Sequence, residues 1–257
     1  MSEMSRHPTT TALLSRLQVF EPTRRPTFQE RSIDTSWGKA LVKGKLGQGQ
    51  ADLLELILYL AQESETGPNG RKQLLVDQYE LRKGLGGSQE GSGEQLKNFL
   101  TDLQNAEVEL SPNGRNATVG GKLIHAVVDS AKTIPALGRF TSAGQKLGVR
   151  PLKVVVLGDL LTELLQSDVK FYYDPHPIVG WNKGVAQAMV RHVKTHKAPP
   201  RGGWKLETLL DSVGAGQEKD ASNRRRELKE SKENLAGLGI SISNSRVLLE
   251  KTPGFKG

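Results

Sequence analysis

The stretch "LKNFLTDLQNAEVELSPNGRNATVGGKLIHAVVD", residues 96 to 129, changes its hydrophobic period partway along. Leu96, Phe99, Leu100 and Leu103 recur at helical spacing and leave Glu94, Lys97, Asn98, Thr101 and Asn105 on the other side. From Glu107 onward apolar and polar residues alternate, and Pro112, Asn113 and Gly114 interrupt the alternation as a β-hairpin turn does. An amphipathic helix that runs straight into a hairpin has few ways to bury both apolar faces.

The residues upstream narrow the choice. "DQYELRKGLGG" starts with Asp77 and Glu80 at capping-box spacing and ends in glycines, and Ser92 with Gln95 forms a second such start. Two short helices joined by a glycine turn make a helix-turn-helix, and the attached hairpin predicts a winged helix. Before it, "TSWGKALVKGKL" alternates as a half-buried strand does. "QADLLELILYLAQES" then places Leu53, Leu54, Ile57, Leu58 and Leu60 at helical spacing until "GPNG", residues 67 to 70, breaks the helix.

The same order of elements returns in the second half. "RPLKVVVLGDLLTELLQS" reads as a strand running into a helix, and "VKFYYDP" as a short strand. "PIVGWNKGVAQAMVRHVKTHK" carries Ile178, Trp181, Val185, Met189 and Val193 on one helical stripe. "GGWKLETLLDSVG" predicts a short helix, residues 217 to 237 a long one, and "GISISNSRVLLEK" a hairpin around Asn244 and Ser245. The expected architecture is α+β with two tandem winged-helix domains, residues 31–142 and 143–257. A flexible basic arm, residues 1–30, precedes them because "SRLQVFEPTRRPTFQER" scatters apolar anchors among arginines and prolines.

Lys and Arg number 36 against 28 Asp and Glu, a net charge of +8 that suits an anionic partner such as nucleic acid. There is no cysteine, which excludes disulfides, thiolate metal sites and cysteine nucleophiles. No stretch reaches the roughly 18 apolar residues of a membrane span, and the polar start is unlike a signal peptide. A cytoplasmic protein without a membrane association is expected.

The most informative helix is "DASNRRRELKESKENLAGLGI", residues 220 to 240. At about 100° per residue, Ala221, Leu228, Leu235 and Leu238 share one face. Lys219, Ser222, Asn223, Arg226, Lys229 and Glu230 fall on or near the opposite face, and Arg224 and Arg225 flank the apolar stripe. In a helix-turn-helix the second helix enters the major groove, where arginine pairs with guanine and asparagine with adenine. Long basic stems beside the stripe can lie on apolar surface while their heads reach phosphates.

Other constellations fall short of a site. His192 and His196 could share a helix face, but "VKT" between them lacks the glutamate of a zinc-protease helix. Surface or phosphate-facing histidines, and no metal, are expected. "GKLGQGQAD" and "GLGGSQEGSG" match neither nucleotide-binding glycine pattern, so no cofactor is expected. "YYDPHP" holds Tyr172 and Tyr173, yet no histidine cluster or arginine set accompanies them as tyrosine-dependent nicking requires, so no enzymatic activity is expected.

The order of segments resembles plasmid replication initiators of the TrfA type. The resemblance rests on "VFEPTRRPTF", "TSWGKALVKGKL", "ELRKGLGG" before "LKNFLTDLQNAEVEL", "VGGKLIH", "LKVVVLGDLL", and "LETLLDSVGA" before "RRRELKESKENLAGLGI". It covers most of the chain beyond about residue 15, and "SAGQKLGVRPLK" has no counterpart in it. The resemblance implies binding to directly repeated origin sequences (iterons), opening of adjacent AT-rich DNA, host replication proteins such as a helicase as partners, and a monomer–dimer equilibrium. It also implies that Ser222, Asn223, Arg226 and Lys229 read DNA in the second domain and Lys97, Asn98 and Thr101 in the first. Arg115, Asn116 and Lys122 then belong to the first wing. A transcriptional repressor or plasmid-maintenance regulator on the same fold and, more remotely, a tyrosine-dependent nicking protein remain alternatives.

Overall fold

From Gly38 to Gly44 side chains are buried and exposed in strict alternation, the period of a strand with one face on a core. The computed structural model describes residues 7–86, 93–114, 117–135, 148–196, 198–216 and 221–249. It is a mixed α+β architecture of helices and small antiparallel sheets.

The chain enters through β1 (Thr10–Thr11) and α1 (Ala12–Arg16), then forms β2 (Gln29–Thr35), β3 (Gly38–Gly44) and α2 (Gln48–Tyr59). Next come β4 (Glu63–Thr66), β5 (Lys72–Asp77), α3 (Gln78–Gly86) and α4 (Gly93–Asn105). They are followed by β6 (Glu107–Pro112), β7 (Val119–Lys122), β8 (Ile124–Pro135), β9 (Val149–Leu157) and α5 (Asp159–Ser167). One sheet has the order β2-β3-β6-β7 and a second the order β4-β5-β9-β8. They share a core that includes Leu53, Ile57, Leu96, Leu103, Val108 and Val155. α4 packs closely on α2: a side chain at Gly49 would start within 2.6 Å of the Phe99 ring.

The second lobe follows β10 (Lys170–Phe171) and consists of α6 (Gly184–Lys194), β11 (Trp204–Lys205), α7 (Leu206–Ser212), α8 (Ala221–Glu230), α9 (Lys232–Gly237), β12 (Ile240–Ser243) and β13 (Arg246–Leu249). Its sheet has the order β11-β13-β12. A separate core gathers Met189, Trp204, Leu209, Leu228, Leu235 and Val247. Asn244 and Ser245 both have positive φ, 48° and 58°, which is the two-residue turn that suits the twist of a tight hairpin.

Both lobes therefore run helix, strand, helix, helix, hairpin. In each, the strand between the first two helices pairs with the last strand of the hairpin: β5 with β9, and β11 with β13. The expected boundary at 142/143 lies outside the described residues, between β8 and β9, two paired strands of one sheet. The cores instead divide near residues 178–179, because Val179 packs in the first and Ile178 in the second.

Residues 7–30, the described part of the expected flexible arm, are anchored in the fold. Leu17 and Val19 are fully buried, because their apolar side chains complete the first core. The segment then laces the lobes together. β1 pairs with β10, the Leu13 amide donates to Asp168 Oδ2 at 2.8 Å, and Arg16 Nη2 donates to the Thr195 carbonyl at 2.5 Å. Gln18 Nε2 reaches the Asp211 carbonyl at 3.0 Å.

Where the lobes meet, residues 184–193 of α6 are all buried, and Arg191 inserts into a polar network on α2. Its guanidinium donates to Glu55 at 2.9 and 3.0 Å, to Asp52 at 2.6 Å and to Gln48 at 2.5 Å. Asp52 also receives Arg24 from the N-terminal segment and Gln187 from α6. A buried charge is tolerated only with this density of partners.

Candidate nucleic-acid interface

Leu228 anchors α8 with 3% exposure, and Leu235 anchors α9 with 1%. The long helix expected over residues 217–237 is divided at Ser231. Its Oγ donates back to the Glu227 carbonyl at 2.9 Å, a local bond that bends helices. Upstream of the bend, Ser222, Asn223, Arg225, Arg226 and Lys229 are exposed, and Arg224 is half-buried beside the apolar stripe. The structure thus brings Ser222, Asn223, Arg226 and Lys229 together on the outward side of one short helix. Lys219 lies outside the described residues.

The cations of this helix have acidic neighbours. Arg225 donates to Glu207 of α7 at 2.7 Å. Arg226 Nε lies 3.7 Å from Glu230 one turn on, and Lys183, the residue preceding α6, pairs with the same carboxylate. That ammonium, by its hydrogen bond, holds the Glu230 carboxyl below its ordinary range.

In the first lobe Lys97, Asn98 and Thr101 are exposed on α4, while Leu96 and Leu103 are buried. Asp102, on the flank, accepts from Gln50 Nε2 at 2.7 Å and so fixes α4 against the start of α2. The first-wing residues fare differently. Arg115 and Asn116 lie outside the described residues. Lys122 is exposed on β7, opposite Glu107 of β6, in the sheet that does not contain β5. By strand pairing the strands that correspond to β12–β13 are β8 and β9, and Val149 to Lys153 of "SAGQKLGVRPLK" lie in β9, while residues 142–147 fall outside the described residues.

The backbone as a whole is similar to that of domains 2 and 3 of RctB. The likeness to that crystal structure has a TM-score of 0.53 at 12% identity and covers 92% of this chain and 95% of the other. The two share a fold over both lobes. No family model matches the chain, and no curated protein matches it in sequence.

Sequence reasoning passed over several cations around α8. Lys183 precedes α6, Lys205 precedes α7, and Arg246 beside the turn of the β12–β13 hairpin donates to the Gly202 carbonyl at 3.0 Å. Only the pairing of β11 with β13 gathers Lys205 and Arg246, a long-range register that no local pattern carries.

His192 and His196 are not surface groups. His192 is buried because α6 is the helix covered by both lobes. Burial, then His196 and Arg16, push its pKa down to about 3. The His196 ring sits edge-on to Trp204 at 5.6 Å and to Trp37 at 6.4 Å, and Arg16 covers the Trp37 face at 4.2 Å.

Tyr173 is half-buried, with its hydroxyl donating to Glu55 at 2.5 Å, and the burial of the phenol raises its pKa. Tyr172 is 52% exposed. Among the described residues no helix is long and apolar enough to cross a membrane.

Proposed function

We propose that this protein is a sequence-specific double-stranded DNA-binding protein with two tandem winged-helix domains, acting as a plasmid replication initiator on direct repeats. The observation that carries the reading is the outward face of α8, where Ser222, Asn223, Arg226 and Lys229 stand together between α7 and the β12–β13 hairpin. These are residue types that reach base edges and phosphates from a recognition helix. The excess of basic residues, the repetition of the helix–strand–helix–helix–hairpin order, the segment order resembling TrfA-type initiators and the fold shared with RctB domains support it.

On this reading the mechanism is binding and deformation of DNA without covalent chemistry. Lysines and arginines neutralise phosphates, α4 and α8 enter successive major-groove segments, and hairpins add contacts alongside. Host replication proteins are then the further partners. The buried, hydrogen-bonded phenol of Tyr173 is a poor candidate nucleophile.

The test is selection of bound sequences from random duplex DNA, with the recovered motif mapped onto the replicon that encodes the protein. A motif repeated in tandem beside AT-rich DNA supports initiation. One palindrome at a promoter would replace initiation by repression, and absence of enrichment would refute sequence-specific binding.

A further inference from the structure

The Glu230 carboxylate lies at the C-terminal end of α8 between two cations, one of them Arg226 of the proposed reading face. Lys183 pairs with it from the start of α6, and Arg226 approaches it from the preceding turn at 3.7 Å. All three groups retain solvent contact, with side-chain exposures of 29% for Lys183, 69% for Arg226 and 45% for Glu230. Exposed ion pairs of this kind contribute little to stability, because water already solvates both charges.

The seat of α8 does not depend on this pair. Leu228 is buried in the core of the lobe, and Glu227 reaches toward the Val185 amide at 3.4 Å. The consequence of Glu230 is therefore electrostatic. It offsets one of two positive charges at this end of the reading face and sets a carboxylate where a phosphate would approach.

Binding without sequence preference is governed by how many phosphates the protein neutralises, whereas recognition adds base-edge contacts. A carboxylate among the cations weakens the first term and leaves the second in place. We propose that Glu230 is a specificity-determining residue that holds Lys183 and Arg226 away from non-cognate DNA and yields them when α8 engages its site. The inference rests on the proposed function and adds to it a penalty on wrong sequences. Glu207 stands in a parallel relation to Arg225, at 2.7 Å.

The test compares the unaltered protein, Glu230→Gln and Lys183→Met on a duplex of random sequence, over a salt range of about 50 to 200 mM. Glu230→Gln is expected to bind more tightly, with the slope of log affinity against log salt steeper by about 0.9, the increment for one more neutralised phosphate. Lys183→Met, which leaves the Glu230 carboxylate to Arg226 alone, is expected to bind more weakly, with the slope little changed.

Opposite shifts distinguish this role from a mere tie between α6 and α8, for which both variants would lose affinity and melting temperature together. That outcome, or an unchanged slope in Glu230→Gln while the unaltered protein binds, overturns the proposal alone. Failure of all three proteins to bind duplex at the lowest salt would overturn the DNA-binding reading and the proposal with it.

Discussion

Arg191 of α6 grips both carboxylate oxygens of Glu55 on α2, at 2.9 and 3.0 Å, across the boundary between the two lobes. Both side chains are nearly inaccessible to solvent, so each depends on the other for charge compensation. Asp52 and Gln48 complete the cage around the guanidinium, and Arg24 from the N-terminal segment joins it at Asp52.

Arg191→Met is expected to destabilise the protein by about 3 to 5 kcal/mol, the cost of leaving buried carboxylates uncompensated. Urea denaturation measures it. Pairing the change with Glu55→Gln should cost less than the sum of the two single changes, because the second relieves part of the charge stranded by the first. Strict additivity would show that the pair does not act as a unit.

His192 predicts a dependence of stability on pH. Its ordinary value is 6.5 and its value in the fold is about 3, so folding favours the neutral ring. The stabilisation is complete above pH 6.5 and is lost as pH falls toward 3, at about 1.4 kcal/mol for each unit through which the titration is suppressed. As pH falls through this window, the melting temperature of the unaltered protein should drop relative to that of His192→Phe. Parallel curves would assign the acid sensitivity to other groups.

At Gly184 the start of α6 meets the backbone of Thr23 so closely that an added methyl would fall 2.6 Å from the Thr23 Cα. Neither partner is a flexible side-chain end, so Gly184→Ala must push the N-terminal segment off α6. A loss of about 1 to 3 kcal/mol is expected, accompanied by faster proteolysis within residues 18–28. Unchanged cleavage there would contradict the assigned contact.

Two further substitutions separate reading from anchoring. Arg226→Ala is expected to weaken binding to a selected site by about 1 to 3 kcal/mol and to relax preference at one base pair. Unaltered affinity would remove Arg226 from the reading set. Lys97→Ala is expected to lower affinity evenly across sequences and flatten the salt slope by about one unit, and a change in base preference would count against a phosphate contact.

The helices legible in the sequence were those whose phase is fixed by local amphipathicity. α2 and α4 lie where the stripes through Leu53 and Leu96 required, α3 starts after the Asp77 cap, α7 lies within "GGWKLETLLDSVG", and the tight β12–β13 hairpin lies where Asn244 and Ser245 marked it. What remained hidden depends on partners far along the chain. "GPNG" ends α2 in the reading of the sequence, yet residues 67–70 are the turn of the β4–β5 hairpin, whose β5 is held by β9 from residues 149–157. The leucines of the N-terminal segment lack a strong period, and only the assembled core shows why Leu17 is needed. The α8 face was readable from one helical wheel; the acidic neighbours Glu207 and Glu230 became partners only through three-dimensional packing.

The lacing of the first residues across both lobes fixes an order of assembly during synthesis. Bonds from Leu13, Arg16 and Gln18 join residues separated by 155, 179 and 193 positions, so this segment is made long before its partners. At about 5 to 20 residues per second it waits roughly 8 to 40 s on the ribosome with Leu13, Leu14 and Leu17 lacking their final cover. Until Thr195 and Asp211 emerge, the nascent chain carries an apolar segment that its second-lobe partners have yet to tie down, and its full anchoring coincides with closure of the second lobe.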